Sequence, residues 1–272
     1  MTWELAGRFP KILEDEVVGD AATQLFADAK ERLNWLIKDG RLKAAGVYGF
    51  WPANRCDSDD LQVFGDEGRS EVLAKLFHLR QQAPKPDDLA PNLCLSDFIA
   101  PEGMADYVGG FAVTAGINID EILVEFEDDD YSQIMIKALA DRLAEAFAEY
   151  LHAQVRLEFW GHSSDEALTL EDLIREKYIG IRPAPGYPAC PEHSEKETLF
   201  RLLNATTKTG MELTESFAMT PAASVSGWYF SHPGSQYFGI GKIDTDQLEN
   251  YAERKQISLG RAAQFLAPNL SD

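Results

Sequence analysis

The stretch Glu176-Lys-Tyr-Ile-Gly-Ile-Arg-Pro-Ala-Pro-Gly-Tyr-Pro-Ala-Cys-Pro-Glu-His193 decides how the rest of the chain is read. Pro183, Pro185, Pro188 and Pro191 fall within nine residues, around Gly186. Proline has no N–H to donate, so this stretch is neither a helix nor a central strand. Its fixed φ makes the segment a rigid, extended platform, and Gly186 lets backbone approach a ligand closely. Arg182 offers a planar fork suited to a carboxylate, and Tyr187 offers a ring and a hydroxyl. A rigid connector between helices is the competing reading. Cys190 and His193 supply two of the four ligands of a metal site, and no further pair accompanies them.

Working downstream, Ser194-Glu-Lys-Glu197 reads as a capping box opening a helix that reaches about Asn204. Residues 227–231 and 236–243 read as two strands joined in a hairpin through His232-Pro233-Gly234. Helices over 245–256 and 258–266 close the chain. Upstream, 170–178 is a short helix. The strongest helical signal covers 131–159, where Ile134, Leu139, Leu143, Ala146, Phe147, Tyr150 and Leu151 keep a period near 3.6. Tyr107–Thr114 is a glycine-containing strand, and 71–81 reads as a helix halted before Pro84 and Pro86. A strand over 45–50 runs into an extended loop forced by Trp51-Pro52. Residues 21–38 form an amphipathic helix stopped at Gly40. Helices and strands alternate without a regular βαβ rhythm, which predicts an α+β fold around a largely antiparallel sheet. With no repeat and no low-complexity linker, one domain is expected.

The chain has 272 residues with 25 Lys plus Arg against 45 Asp plus Glu, a formal net charge of −20. Such a surface repels nucleic-acid phosphates and anionic membranes, so partners of those kinds are disfavoured. It suits solubility, a cationic ligand or a basic partner. No apolar run approaches the roughly 20 residues needed to span a bilayer. The acidic first twenty residues are unlike a signal peptide. Cys56, Cys94 and Cys190 are odd in number and far apart, without a disulfide framework or CxxC pair. A reducing, cytoplasmic compartment is expected.

Several familiar constellations are absent. Gly239-Ile240-Gly241 lacks the third glycine of a dinucleotide fingerprint, and neither GxxxxGK[ST] nor GxSxG occurs. Glu149-Tyr-Leu-His152 has the ExxH spacing of di-iron bundles, but no second ExxH accompanies it, so no metal site is expected. Asp141, Glu145, Glu149 and His152 share one helical stripe, either a solvated face or a negative wall for an ammonium or sulfonium group. In residues 224–238, Trp228 and Phe230 are core candidates; other rings there could face a pocket and stack a base or a cation.

Taken together, Arg182–His193 with Met1-Thr2-Trp3, Ile12–Gly19, Gly49–Arg55, Leu79–Gln82, Ala138–His152, Thr214–Met219, Ser224–Pro233 and Leu266–Leu270 resembles the activation domain of cobalamin-dependent methionine synthase from end to end. The resemblance implies a single C-shaped α+β domain, with a twisted sheet and flanking helices, that binds S-adenosylmethionine (AdoMet). It implies reactivation of the inactive synthase. AdoMet is presented to cob(II)alamin on a cobalamin-binding domain in cis or in trans, while a flavodoxin-type donor supplies an electron. By the same resemblance Arg182 holds the ligand carboxylate, Ala184 and Gly186 make backbone contacts, and Tyr187 lies near the transferred methyl group. Tyr237 and Phe238 match a second ligand-binding position, and Glu145 and Glu176 match acidic residues near the cationic end. Asp141 and Glu149 are read as surface residues. The family domain begins upstream of the residue matching Met1, with an aspartate there that contacts AdoMet. Residues 1–272 are therefore expected to be the activation domain without that N-terminal segment. This part of a 5-methyltetrahydrofolate–homocysteine methyltransferase is not expected to make methionine alone. The alternative is a docking module for a cobalamin protein or flavodoxin, with little AdoMet binding of its own.

Overall fold

A computed structural model describes residues 3, 5–38, 40–57, 59–85 and 90–271. Met1, Thr2, Glu4 and Pro86, used in the sequence reading, lie outside the described residues. From the N-terminus, helix α1 (Gly19–Lys38) precedes strands β1 (Ala45–Cys56), β2 (Asp60–Phe64), β3 (Val72–Phe77) and β4 (Tyr107–Thr114). Helices α2 (Ile119–Val124), α3 (Asp130–Gln154), α4 (Leu170–Ile174), α5 (Glu195–Leu203) and α6 (Ala205–Thr209) follow. Strands β5 (Glu212–Leu213), β6 (Met219–Thr220) and β7 (Ser224–Tyr229) and helices α7 (Thr245–Lys255) and α8 (Leu259–Phe265) complete the order.

Five strands form one sheet in the order β3-β2-β1-β4-β7, with every neighbouring pair antiparallel. The α+β expectation stands. β4 is buried on both faces because helices cover both. On one face Phe111, Val113 and Tyr229 meet Ala148, Leu151 and Val155 of the α3 segment. On the other, Val108, Ala112 and Trp228 meet Leu199, Phe200, Leu203 and Ala205 of α5 and α6. The long helix starts where Asp129 accepts from the Ser132 N–H at 3.0 Å, a side-chain cap. Small side chains at Ala140, Ala144 and Ala148 let α3 lie close to the sheet.

Several expectations about secondary structure are corrected. Residues 71–81 are not a helix: they hold β3, in which Ala74 and Leu76, followed by His78, point inward on alternate positions. Strand period overrides the good helix propensity of Leu73, Ala74, Lys75 and Leu76. Nor does Trp51-Pro52 end the first strand. β1 pairs with β4 through Pro52 and with β2 from Ala53 onward, so the proline sits where the strand changes partner. The hairpin through His232-Pro233-Gly234 does not form, because 236–243 makes no strand beside β7. That place is taken by the proline stretch. Ile181 and Phe230 exchange backbone bonds at 2.9 and 3.0 Å, and the Trp228 N–H reaches the Pro183 carbonyl at 2.9 Å. Pro183 needs only to accept there, which is why a proline can flank this edge.

The far end of the proline stretch is fixed by charge. Glu192 accepts from the Ser194 N–H at 2.6 Å and its hydroxyl at 2.5 Å, from the Tyr251 hydroxyl at 3.2 Å, and from Lys255. Lys255 also donates to Glu195 at 2.7 Å, tying α7 to the start of α5. Glu192 thereby replaces the expected capping box: the Ser194 hydroxyl is spent on it and caps no helical N–H. The helix expected over 170–178 stops at Ile174. Among the described residues, no helix is long and apolar enough to cross a membrane.

Candidate functional site

A cleft of about 910 Å³ opens at the β7 edge, between α3 and the proline stretch. Its walls come from Ala144, Glu145 and Ala148 of α3, from Arg182–Pro185 and Tyr187–Ala189, from Ser224, Val225 and Ser226 of β7, and from Tyr237–Gly239. Of the eight residues singled out from the sequence, Arg182, Ala184, Tyr187, Tyr237, Phe238, Glu145 and Glu176 line it. Gly227 is what brings the platform this close to the sheet. A Cβ there would stand 2.8 Å from the Pro183 carbonyl oxygen, so a larger residue would push the platform off β7.

Gly186 lies between the wall residues Pro185 and Tyr187, at a turn of the platform. Its φ is +97°, and a Cβ on it would lie 2.2 Å from Cε1 of His193. Glycine is required there to turn the chain and seat the His193 ring, which does line the cleft. Lys196, also a lining residue and buried, donates to His193 Nδ1 at 2.7 Å and to the Phe217 carbonyl at 3.2 Å. Burial, together with the Lys196 charge, holds the His193 ring below its ordinary pKa, and the neutral ring then carries its proton on Nε2.

Arg182 is half-enclosed at one end of the cleft. Its Nη1 donates to His152 Nδ1 at 3.0 Å and to the Tyr178 hydroxyl at 3.2 Å, and its Nη2 donates to Glu149. Its backbone N–H reaches the Tyr237 hydroxyl at 3.0 Å, which fixes that ring at the cleft wall. An arginine can only donate, so His152 Nδ1 is the unprotonated nitrogen. His152 is 1% exposed, and burial, with Arg156 and Arg182 close by, drives its pKa well below the ordinary range. Tyr178 is held as the neutral phenol, its pKa raised by burial. The reading of Glu149 as a surface residue is therefore corrected: it is an ion-pair partner of the platform arginine. Asp141 is exposed and lies on the rim with Glu145 and Glu176.

Charge of both signs lines the cleft: Arg142, Arg182 and Lys196 bring cations, and Asp141, Glu145 and Glu176 bring carboxylates, with Glu145 at 2.9 Å from Arg142. Tyr187, 66% exposed, stands in the cleft wall, and Trp228 and Phe230 are core residues, as expected. Among the described residues no group of three or more His, Cys, Asp or Glu side chains is placed to hold a metal. Sequence reasoning missed Tyr178, Lys196 and the role of Glu149. The Glu149–His152 spacing was visible, but nothing local showed that their partner lies some thirty residues on.

The family model of the vitamin B12 dependent methionine synthase activation domain matches residues 1–256. A solved structure described as the crystal structure of the MetH reactivation domain bound to AdoHcy is similar at 55% identity with a TM-score of 0.95, over 100% of this chain and 84% of that one. The match runs through the platform, the α3 face and β7 that together build the cleft, and the chain belongs to the family of vitamin B12 dependent methionine synthase activation domains.

Proposed function

We propose that the cleft binds AdoMet and presents its methyl group to a cobalamin held by a partner domain, reactivating cobalamin-dependent methionine synthase. The observation that carries this reading is charge of both signs in one cleft: the Arg182 guanidinium fork and the carboxylates of Asp141, Glu145 and Glu176. AdoMet carries a carboxylate, an ammonium and a sulfonium, so it needs both signs. The relative whose structure is described as bound to AdoHcy supports the same ligand class. We take residues 1–272 as one AdoMet-binding activation domain.

Arg182 binds the carboxylate through N–H groups that its protein partners leave over. Glu145 and Glu176, with Asp141, hold the cationic part of the ligand. Tyr237 and Phe238 wall the cleft beside the platform, Ala184 and Gly186 offer backbone, and Tyr187 lies by the methyl group. The partner's cobalamin, reduced by one electron from a flavodoxin-type donor, would supply the electron pair that accepts the methyl group, and the AdoMet sulfur would keep the S–CH3 pair, leaving AdoHcy. This chain's part is to orient the sulfonium and leave its methyl open to the partner. Leu170 and Ile174, exposed on one face of α4, and the exposed Tyr187 ring give that partner apolar ground to land on. We place the chain in the cytoplasm, in keeping with three cysteines that form no disulfide.

The test is reconstitution. The chain, a separately produced cobalamin-binding domain and reduced flavodoxin are mixed with methyl-labelled AdoMet. Label on the partner's cobalamin and AdoHcy in equal amounts, both dependent on this chain, are expected. AdoHcy formation at the same rate without the chain would overturn the reading. Complex formation that ignores AdoMet, with no transfer, would favour the docking role.

A further inference from the structure

The Glu149–His152 pair is left without a task by the reading above, and its surroundings assign one. Neither residue lines the cleft; each reaches it through Arg182. We propose that Glu149 and His152 are positioning residues that clamp the Arg182 guanidinium for a ligand carboxylate, so that the Glu-x-x-His spacing on α3 serves an arginine rather than a metal. The inference rests on the reading of Arg182 as the carboxylate fork.

An unrestrained arginine loses side-chain entropy when a ligand fixes it. Three protein acceptors remove most of that freedom beforehand. His152 and Tyr178 take the two protons of Nη1, at 3.0 and 3.2 Å, and Glu149 takes one proton of Nη2. Nε–H and the second Nη2 proton have no protein acceptor among the described residues. The fork therefore has two donors left for a carboxylate. His152 can serve only as a neutral ring. It is stacked on Tyr229 at 5.2 Å and meets the edge of Tyr178 at 5.0 Å, so it is walled from water. A protonated ring would present an N–H to the guanidinium and break the clamp. Glu149 balances the arginine charge in the half-enclosed site, and its Oε1 is buried without a partner among the described residues. Helical geometry explains the spacing, since residues three apart on α3 face the same side and converge on one guanidinium.

The experiment compares two ligands by calorimetry: AdoMet, and 5′-methylthioadenosine, a neutral thioether that keeps the nucleoside but has neither the carboxylate nor the ammonium. A clamp acting through Arg182 matters only to the first. His152→Leu and Glu149→Ala should each weaken AdoMet by about tenfold and leave methylthioadenosine within about twofold. His152→Asn, which restores an acceptor near Nδ1, should recover most of the AdoMet affinity. Thermal melts accompany each variant; if His152→Leu does not fold, Glu149→Ala and His152→Asn carry the comparison. Equal losses for both ligands, or no loss for AdoMet in variants where Arg182→Ala does lose it, would overturn the clamp. An Arg182→Ala chain that binds AdoMet normally would instead overturn the reading of Arg182 on which the clamp depends.

Discussion

Single residues carry the site's precision. Gly186 is the sharpest case, because its φ of +97° and the 2.2 Å approach to His193 exclude any side chain. Gly186→Ala should cost about 1–3 kcal/mol of stability and dislodge His193 from the cleft. Denaturant unfolding measures the first effect, and a midpoint equal to wild type would show that the turn is not strained by a Cβ. At this scale the sequence was informative wherever backbone chemistry is local. Four prolines and a glycine mark the platform whatever surrounds it. Glu149 was misread for the opposite reason: its partner Arg182 lies 33 positions away, and only the packing of the platform on β7 brings them together.

Elements were legible where their period was clean. α3 follows its 3.6-residue stripe, and β4 follows its run of Val, Phe and Gly. β3 was hidden because Leu, Ala and Lys favour helix, and alternation over a short strand is a weak signal against that propensity. The missing hairpin has a topological cause: β7 has one open edge, and the platform occupies it. α7 and the platform depend on one another through Lys255, whose pKa is raised by its buried carboxylate partners against the opposing effect of desolvation. Lys255→Met would leave Glu192 and Glu195 buried without their cation. A loss of about 3–5 kcal/mol is expected. A thermal midpoint close to wild type would mean that water reaches these carboxylates.

For the molecule as a whole, acid sensitivity follows from buried neutral histidines. His78 is fully enclosed, and desolvation, with Arg254 and Lys255 nearby, pushes its pKa down to about 3. In the unfolded chain it protonates near pH 6.5. Between those values the unfolded state binds more protons, so stability falls as the pH drops, by up to about 1.4 kcal/mol per unit for each such histidine. His152 acts in the same direction. Asp60 and Glu195, whose pKa values are raised by burial, act in the opposite direction at the acid end. Neither ring nitrogen of His78 has a hydrogen-bond partner among the described residues. His78→Leu should therefore flatten the stability–pH curve between pH 6 and 4 by about one proton without lowering stability at pH 7. An unchanged slope would show that His78 is protonated in the folded chain.

The central claim is that a ligand of mixed charge lies between the Arg182 fork and the acidic rim. Calorimetric titration of the folded chain with AdoMet, beside Arg182→Ala, tests it most directly. Saturable binding at one site, weakened about 100-fold or more by the substitution, is the predicted result. Binding that is unchanged in a folded Arg182→Ala chain, or absent from the wild-type chain, would contradict it.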